Sequence, residues 1–149
     1  FNRPDGDALA KIKGPDGAVH HRMGDAGWKD PEGRLWFCGR KSHRVVTAEG
    51  ALYTIPCESV FNAHPDVRRT ALVGVGPDGA KRPVICVELE PGKKPRPGLT
   101  GELLALGAAQ THTRAVKDIL YHPGFPVDIR HNAKIGREKL AAWAAERPA

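Results

Sequence analysis

The chain has 149 residues, 40% of them hydrophobic, and carries 23 Lys and Arg against 17 Asp and Glu, a formal charge of +6. That length suits one domain or slightly more, and no apolar run approaches the roughly 18 residues of a membrane span. The positive excess is compatible with phosphorylated ligands, an acidic partner or nucleic acid. The arginines are scattered, however, and aromatic residues make up only 6%, so no nucleic-acid partner is expected.

The chain opens on Phe1 rather than Met and shows no signal-peptide apolar region, so it is expected to be a piece of a longer, cytoplasmic protein. Its three cysteines, Cys38, Cys57 and Cys86, are odd in number and widely spaced within apolar sequence. With no C-x-x-C pair, no metal site is expected, and buried reduced thiols are.

Taken in order, residues 1–17 are rich in Gly, Pro and Asp, and the turn Pro15-Asp16-Gly17 leads into a strand over Ala18 to Met23. The turn Asp30-Pro31-Glu32-Gly33 precedes a second strand, Arg34 to Cys38, and the two read as a hairpin with a wide loop. Within that loop Asp25 lies between Gly24 and a second glycine, Gly27. A turn aspartate bonding its own backbone and a carboxylate suited to a ribose diol both fit that setting. Gly39 to Arg44 is polar and reads as a surface connection. Val45-Val46-Thr47 and Ala51 to Thr54 read as short strands around Gly50.

Ile55 to Asn62 reads as a helix with Pro56 in its first turn and Glu58 near the positive end of the dipole. Val67 to Val75 and Pro83 to Leu89 read as an antiparallel pair around Gly76 to Gly79. The Pro- and Gly-dense run 91–98 is a connector, Thr100 is the expected N-cap of a helix reaching Ala109, and Val116 to His122 is a third strand. His112, His122 and His131 read as surface or strand-end residues rather than catalysts. Phe125 to Ile129 is held extended by Pro126, His131-Asn132-Ala133 is an expected turn, and Ile135 is expected to open the last helix. Lys134 then sits on a loop, flanked by Arg130 and Arg137. In isolation it is a solvated surface lysine, but such a residue can also bring a mobile cation onto an anionic group.

Three of these stretches together resemble the AMP-forming adenylating superfamily of acyl-CoA synthetases, peptide-synthetase adenylation domains and luciferases. Arg22-Met23-Gly24-Asp25 resembles its Tyr-Arg-Thr-Gly-Asp motif, Gly39-Arg40 the start of its hinge motif, and Pro126 to Arg137 its last core motif, with Ala133 in place of glycine. The resemblance implies Lys134 as the catalytic lysine, Asp25 as the ribose ligand and Arg40 as a nucleotide contact. It places the pivot among Lys41, Ser42 and His43. Residues 1–40 would end a large N-terminal domain, and 41–149 would form a C-terminal lid. The implied fold class is α+β: a leading β-hairpin, then a lid of about three strands and three helices. ATP and Mg2+ are the implied cofactors.

Within the superfamily, His21 to Trp28, Leu35 to Arg44 and Pro126 to Lys134 resemble the bacterial olefin-biosynthesis β-lactone synthetases. That group adenylates a 2-alkyl-3-hydroxy fatty acid and closes it to a β-lactone. It implies as partners this small-molecule substrate, the missing N-terminal domain of the same protein and other olefin-biosynthesis enzymes. A long-chain fatty acyl-CoA ligase is the alternative, and CoA dependence separates the two.

Overall fold

The computed structural model describes residues 10–128 and 131–147. Its leading segment holds two hairpins. Strand β1 (Lys11–Lys13) pairs with β2 (Val19–His21), and β3 (Asp25–Lys29) pairs with β4 (Leu35–Arg40). The expected single hairpin between Ala18–Met23 and Arg34–Cys38 is thus replaced by two. Gly24, at φ 75, turns the chain between β2 and β3, a conformation that glycine adopts without steric cost. The Asp30 carboxylate then ties the next turn, accepting from the Arg34 N–H (2.8 Å), the Arg34 Nε and the Trp36 Nε1 (2.8 Å). Residues 25–29, read as loop, become the partner strand.

Lys41–His43 form one 3₁₀ turn. The small hairpin β5 (Val45–Thr47) and β6 (Gly50–Leu52) follows as expected, then helix α1 (Thr54–Asn62). The central sheet has the order β7-β8-β9: β7 (Val67–Val75) is antiparallel to β8 (Arg82–Leu89), and β9 (Asp118–Tyr121) is parallel to β8. A parallel neighbour needs a crossover, here supplied by α2 (Leu99–Ala108). Gly98, with φ 86, occupies the N-cap position expected for Thr100. Thr100 falls inside the first turn, its hydroxyl 3.1 Å from that of Tyr121.

Strand side chains alternate between faces, and both faces of this sheet are covered. Leu72, Ile85 and Val87 pack with Phe61 of α1 and Leu99 and Leu103 of α2. Ala71, Val73, Val84 and Cys86 pack with Phe125 and with Leu140 and Ala144 of the last helix. Burial on both sides explains why β8 reads as a continuous apolar run. All three cysteines are free thiols, with Cys57 and Cys86 buried; burial pushes both of those up to about 12.

The C-terminal segment departs most from the expectation. A hairpin of β10 (Val127–Asp128) and β11 (His131–Ile135) precedes α3 (Arg137–Ala145). Lys134 therefore lies in a strand rather than a loop, and the helix opens at Arg137 rather than Ile135. The pairing of Ile135 with Val127 and the bond from the Gly136 N–H to the Pro126 carbonyl (2.7 Å) hold the chain extended until Gly136. Residues 129 and 130 lie outside the described residues. The architecture is the expected α+β one, and no described helix is long and apolar enough to cross a membrane.

Candidate active-site face

Asp25 and Arg40, assigned to one nucleotide by resemblance, are direct cross-strand partners at the open end of the β3–β4 hairpin. The Arg40 Nε lies 3.2 Å from the Asp25 Oδ1, and its terminal nitrogen donates to the Met23 carbonyl. Both side chains remain partly exposed, at 53% for Arg40 and 41% for Asp25. Asp25 begins a strand, so its carboxylate is fixed by the sheet and by Arg40 rather than by its own turn. The Lys41 N–H bonds the Gly24 carbonyl at 2.9 Å, joining the start of the 3₁₀ turn to the same hairpin end. Around Met23, Gly24, Arg40, Lys41, Ser42 and Arg44 the surface forms an open depression of about 510 Å³.

His43 links this end to the C-terminal motif. Burial, and then the positive charges of Arg137, Arg40 and Lys134, hold its imidazole below the ordinary value, with Glu138 opposing them. Arg40 of the second hairpin and Lys134 and Arg137 of the C-terminal motif thus all act on one imidazole, with Arg40 itself paired to Asp25 and Arg137 to Glu58. A cleft of about 160 Å³ runs between Ser42, His43 and Arg44 on one side and Arg137, Glu138 and Ala141 of α3 on the other.

Lys134 is exposed. It borders a depression of about 310 Å³ between the β10–β11 hairpin and Lys139. The hairpin is anchored from both ends. Ahead of it, the Phe125 N–H donates to the Glu88 Oε2 at 2.7 Å, and the same carboxylate takes Arg69 (2.8 Å) and Arg68 (2.9 Å). Behind it, Arg137 reaches across the molecule to Glu58 of α1, its terminal nitrogens 2.5 and 3.0 Å from the two carboxylate oxygens.

Glu58 was expected at the helix dipole. It is instead buried and accepts the Leu72 N–H at 2.7 Å. Sequence reading missed Glu58 and Glu88 as anchors. A signal was present for Glu88, a carboxylate ending the apolar run Val84 to Val87, because a charge at such a position needs a partner. Of the histidines read as bystanders, His112 bonds the Pro56 carbonyl (3.0 Å) and His122 packs edge-on against Trp143 (4.7 Å). The side chain of His131 lies outside the described residues.

No family model matches the chain. It is 59% identical over 152 residues to an olefin beta-lactone synthetase of Xanthomonas campestris pv. campestris, a match covering 98% of this chain and 27% of the relative. It is 58% identical over 149 residues to an olefin beta-lactone synthetase of Stenotrophomonas maltophilia, covering 97% and 27%. The chain therefore spans about a quarter of the length of these relatives. Among solved structures, an amide bond synthetase, McbA of Marinactinospora thermotolerans, superposes with a TM-score of 0.75 at 25% identity, over 94% of this chain and 27% of that one.

Proposed function

This chain belongs to the AMP-forming adenylating superfamily, and we propose that it is the C-terminal part, chiefly the lid, of an olefin β-lactone synthetase. The observation that carries the reading is the 59% identity along 98% of the chain to a protein of that name. In this proposal a carboxylate oxygen of a 2-alkyl-3-hydroxy fatty acid attacks the α-phosphorus of ATP. The bond to the β-phosphate breaks, and pyrophosphate leaves. The substrate's own β-hydroxyl oxygen then attacks the acyl carbon, the bond to AMP breaks, and the hydroxyl proton passes to solvent. An internal nucleophile has a high effective concentration, so the second step needs no CoA.

Lys134 is assigned to the first step. Negative charge builds on the α-phosphate oxygens in its transition state, and an ammonium delivered there stabilises that state more than the ground state. The exposure of Lys134 at the border of an open depression supports that role. Asp25 is assigned to the ribose hydroxyls. Arg40 orients that carboxylate while remaining open to the nucleotide, consistent with their 3.2 Å contact and partial exposure. Magnesium would be held chiefly by the ATP phosphates and would offset their charge there.

Lys41, Ser42 and His43 form the proposed pivot between residues 1–40, the end of a larger domain, and the lid, 41–149. The free thiols of Cys38, Cys57 and Cys86 fit a cytoplasmic setting, where the other olefin-biosynthesis enzymes would be its partners. The test supplies the full-length enzyme with ATP, Mg2+ and a 2-alkyl-3-hydroxy acid, with and without CoA, and identifies the organic product. A β-lactone formed without CoA supports the proposal. A thioester formed only with CoA makes the protein an acyl-CoA ligase.

A further inference from the structure

The largely buried pair Glu58–Arg137 closes a ring at the outer edge of β7, the side of that strand that β8 does not cover. The Leu72 N–H donates to the Glu58 Oε1 (2.7 Å), the Arg137 fork spans both Glu58 oxygens, and one of its nitrogens also donates to the Leu72 carbonyl (3.2 Å). Both backbone groups of Leu72 thus face away from β8 and are satisfied by two side chains, as an added strand would satisfy them. The side chains are 9% and 15% exposed. A desolvated pair like this adds little net stability over an apolar pair of similar size. What it supplies is direction: a planar guanidinium meets a carboxylate in one orientation, which an ammonium cannot reproduce.

The residue so oriented is the first of α3, three positions beyond Lys134. Between them, Ile135 is paired with Val127, and the Gly136 N–H is bound to the Pro126 carbonyl. Ile135 and Gly136 are thus both held between the fork and the lysine, the pairing becomes irregular only beyond Ile135, and the fork is fixed to the outer edge of β7. We propose that Glu58 and Arg137 are positioning residues that set where Lys134 projects from the lid, and that their effect on the reaction passes through Lys134. The proposal rests on the adenylating role of Lys134 given above.

The test is single-turnover acyl-adenylate formation by the full-length enzyme, comparing wild type with Lys134→Ala, Arg137→Lys, Glu58→Gln and the double variant Lys134→Ala/Arg137→Lys. Hydrogen exchange in β7 and β8 is measured in each. Displacing a catalytic group by about 1 Å costs on the order of 10²-fold. Arg137→Lys and Glu58→Gln are therefore expected to slow adenylation by about ten- to a hundredfold, with KM for ATP within about twofold and with β8 as protected as in wild type. Because residues acting as one unit are non-additive, Arg137→Lys is expected to change nothing further in the Lys134→Ala background.

Multiplying losses in the double variant, or wild-type rates in both Arg137→Lys and Glu58→Gln, would overturn the proposal. Wild-type adenylation by Lys134→Ala would overturn the role of the lysine itself and leave nothing to position. That outcome is read from the single variant alone, so the two failures are distinguishable.

Discussion

Glu88 offers the sharpest test of how the lysine hairpin is held. Its carboxylate is 4% exposed, yet it carries a hydrogen bond from the Phe125 backbone and three from Arg68 and Arg69. Replacing it with alanine leaves the Phe125 N–H without a partner in a buried position, at about 1–3 kcal/mol. It also strands two arginines, and removing one partner of a buried pair costs about 3–5 kcal/mol. Arg68 is 53% exposed and can turn to water, so a loss near the lower end, about 3 kcal/mol, is expected. Read as local opening, that is roughly a hundredfold.

Glu88→Gln keeps an acceptor for Phe125 and loses only the charge, so about 1 kcal/mol and roughly fivefold faster exchange are expected. The assay is hydrogen exchange of the full-length protein, resolved to peptides covering β9 through β10 and α3. Unchanged protection there in Glu88→Ala would refute the claim that this carboxylate anchors the segment. The pH dependence supplies a second reading. Burial by itself would raise the Glu88 carboxyl, but the Phe125 N–H, Arg69 and Arg68 outweigh it and hold the carboxyl below its ordinary value. A carboxyl lowered by folding stabilises the fold fully above the unfolded value of 4.5 and loses that contribution as pH falls through the folded one. Wild type should therefore lose protection around Phe125 on acidification, and Glu88→Gln should lack that component.

Two further outcomes follow from the packing. A methyl group on Gly107 would come within 2.8 Å of Phe61 Cζ, in a fully buried ring. The helix-propensity gain of Gly107→Ala, up to about 1 kcal/mol, is outweighed by overpacking of about 1–3 kcal/mol. Faster hydrogen exchange in α1 and α2 is expected, partly relieved by Phe61→Leu. Thiol labelling of the folded protein should reach the half-buried Cys38 first, with Cys57 and Cys86 reacting only on unfolding, because both are buried and pushed up to about 12.

Much of this was legible in the sequence because local pattern and tertiary context agree. The apolar runs of β7 and β8, the Gly76 to Gly79 turn and the Pro56 helix are fixed by periodicity and turn chemistry, and they form where expected. The departures arise where a partner distant in sequence decides. Residues 25–29 look like a glycine-rich loop until β4 lies beside them. Thr100 is a better N-cap by propensity, but Gly98 supplies the left-handed turn. Lys134 reads as a loop residue because nothing local announces that Ile135 will pair with Val127. Asp25 and Arg40 were each singled out by a separate motif, but their contact was not, and Glu58–Arg137, 79 residues apart, could not be paired from spacing alone.

The central claim is that Lys134 acts in adenylation rather than in folding or in ring closure. The most direct measurement is rapid-quench formation of the acyl-adenylate by the full-length enzyme with saturating ATP and 2-alkyl-3-hydroxy acid, in wild type and Lys134→Ala. Loss of a contact made to charge developing in a transition state predicts a rate lower by about 10²- to 10³-fold, with hydrogen exchange throughout the lid unchanged. An acyl-adenylate formed at the wild-type rate by Lys134→Ala would contradict the account.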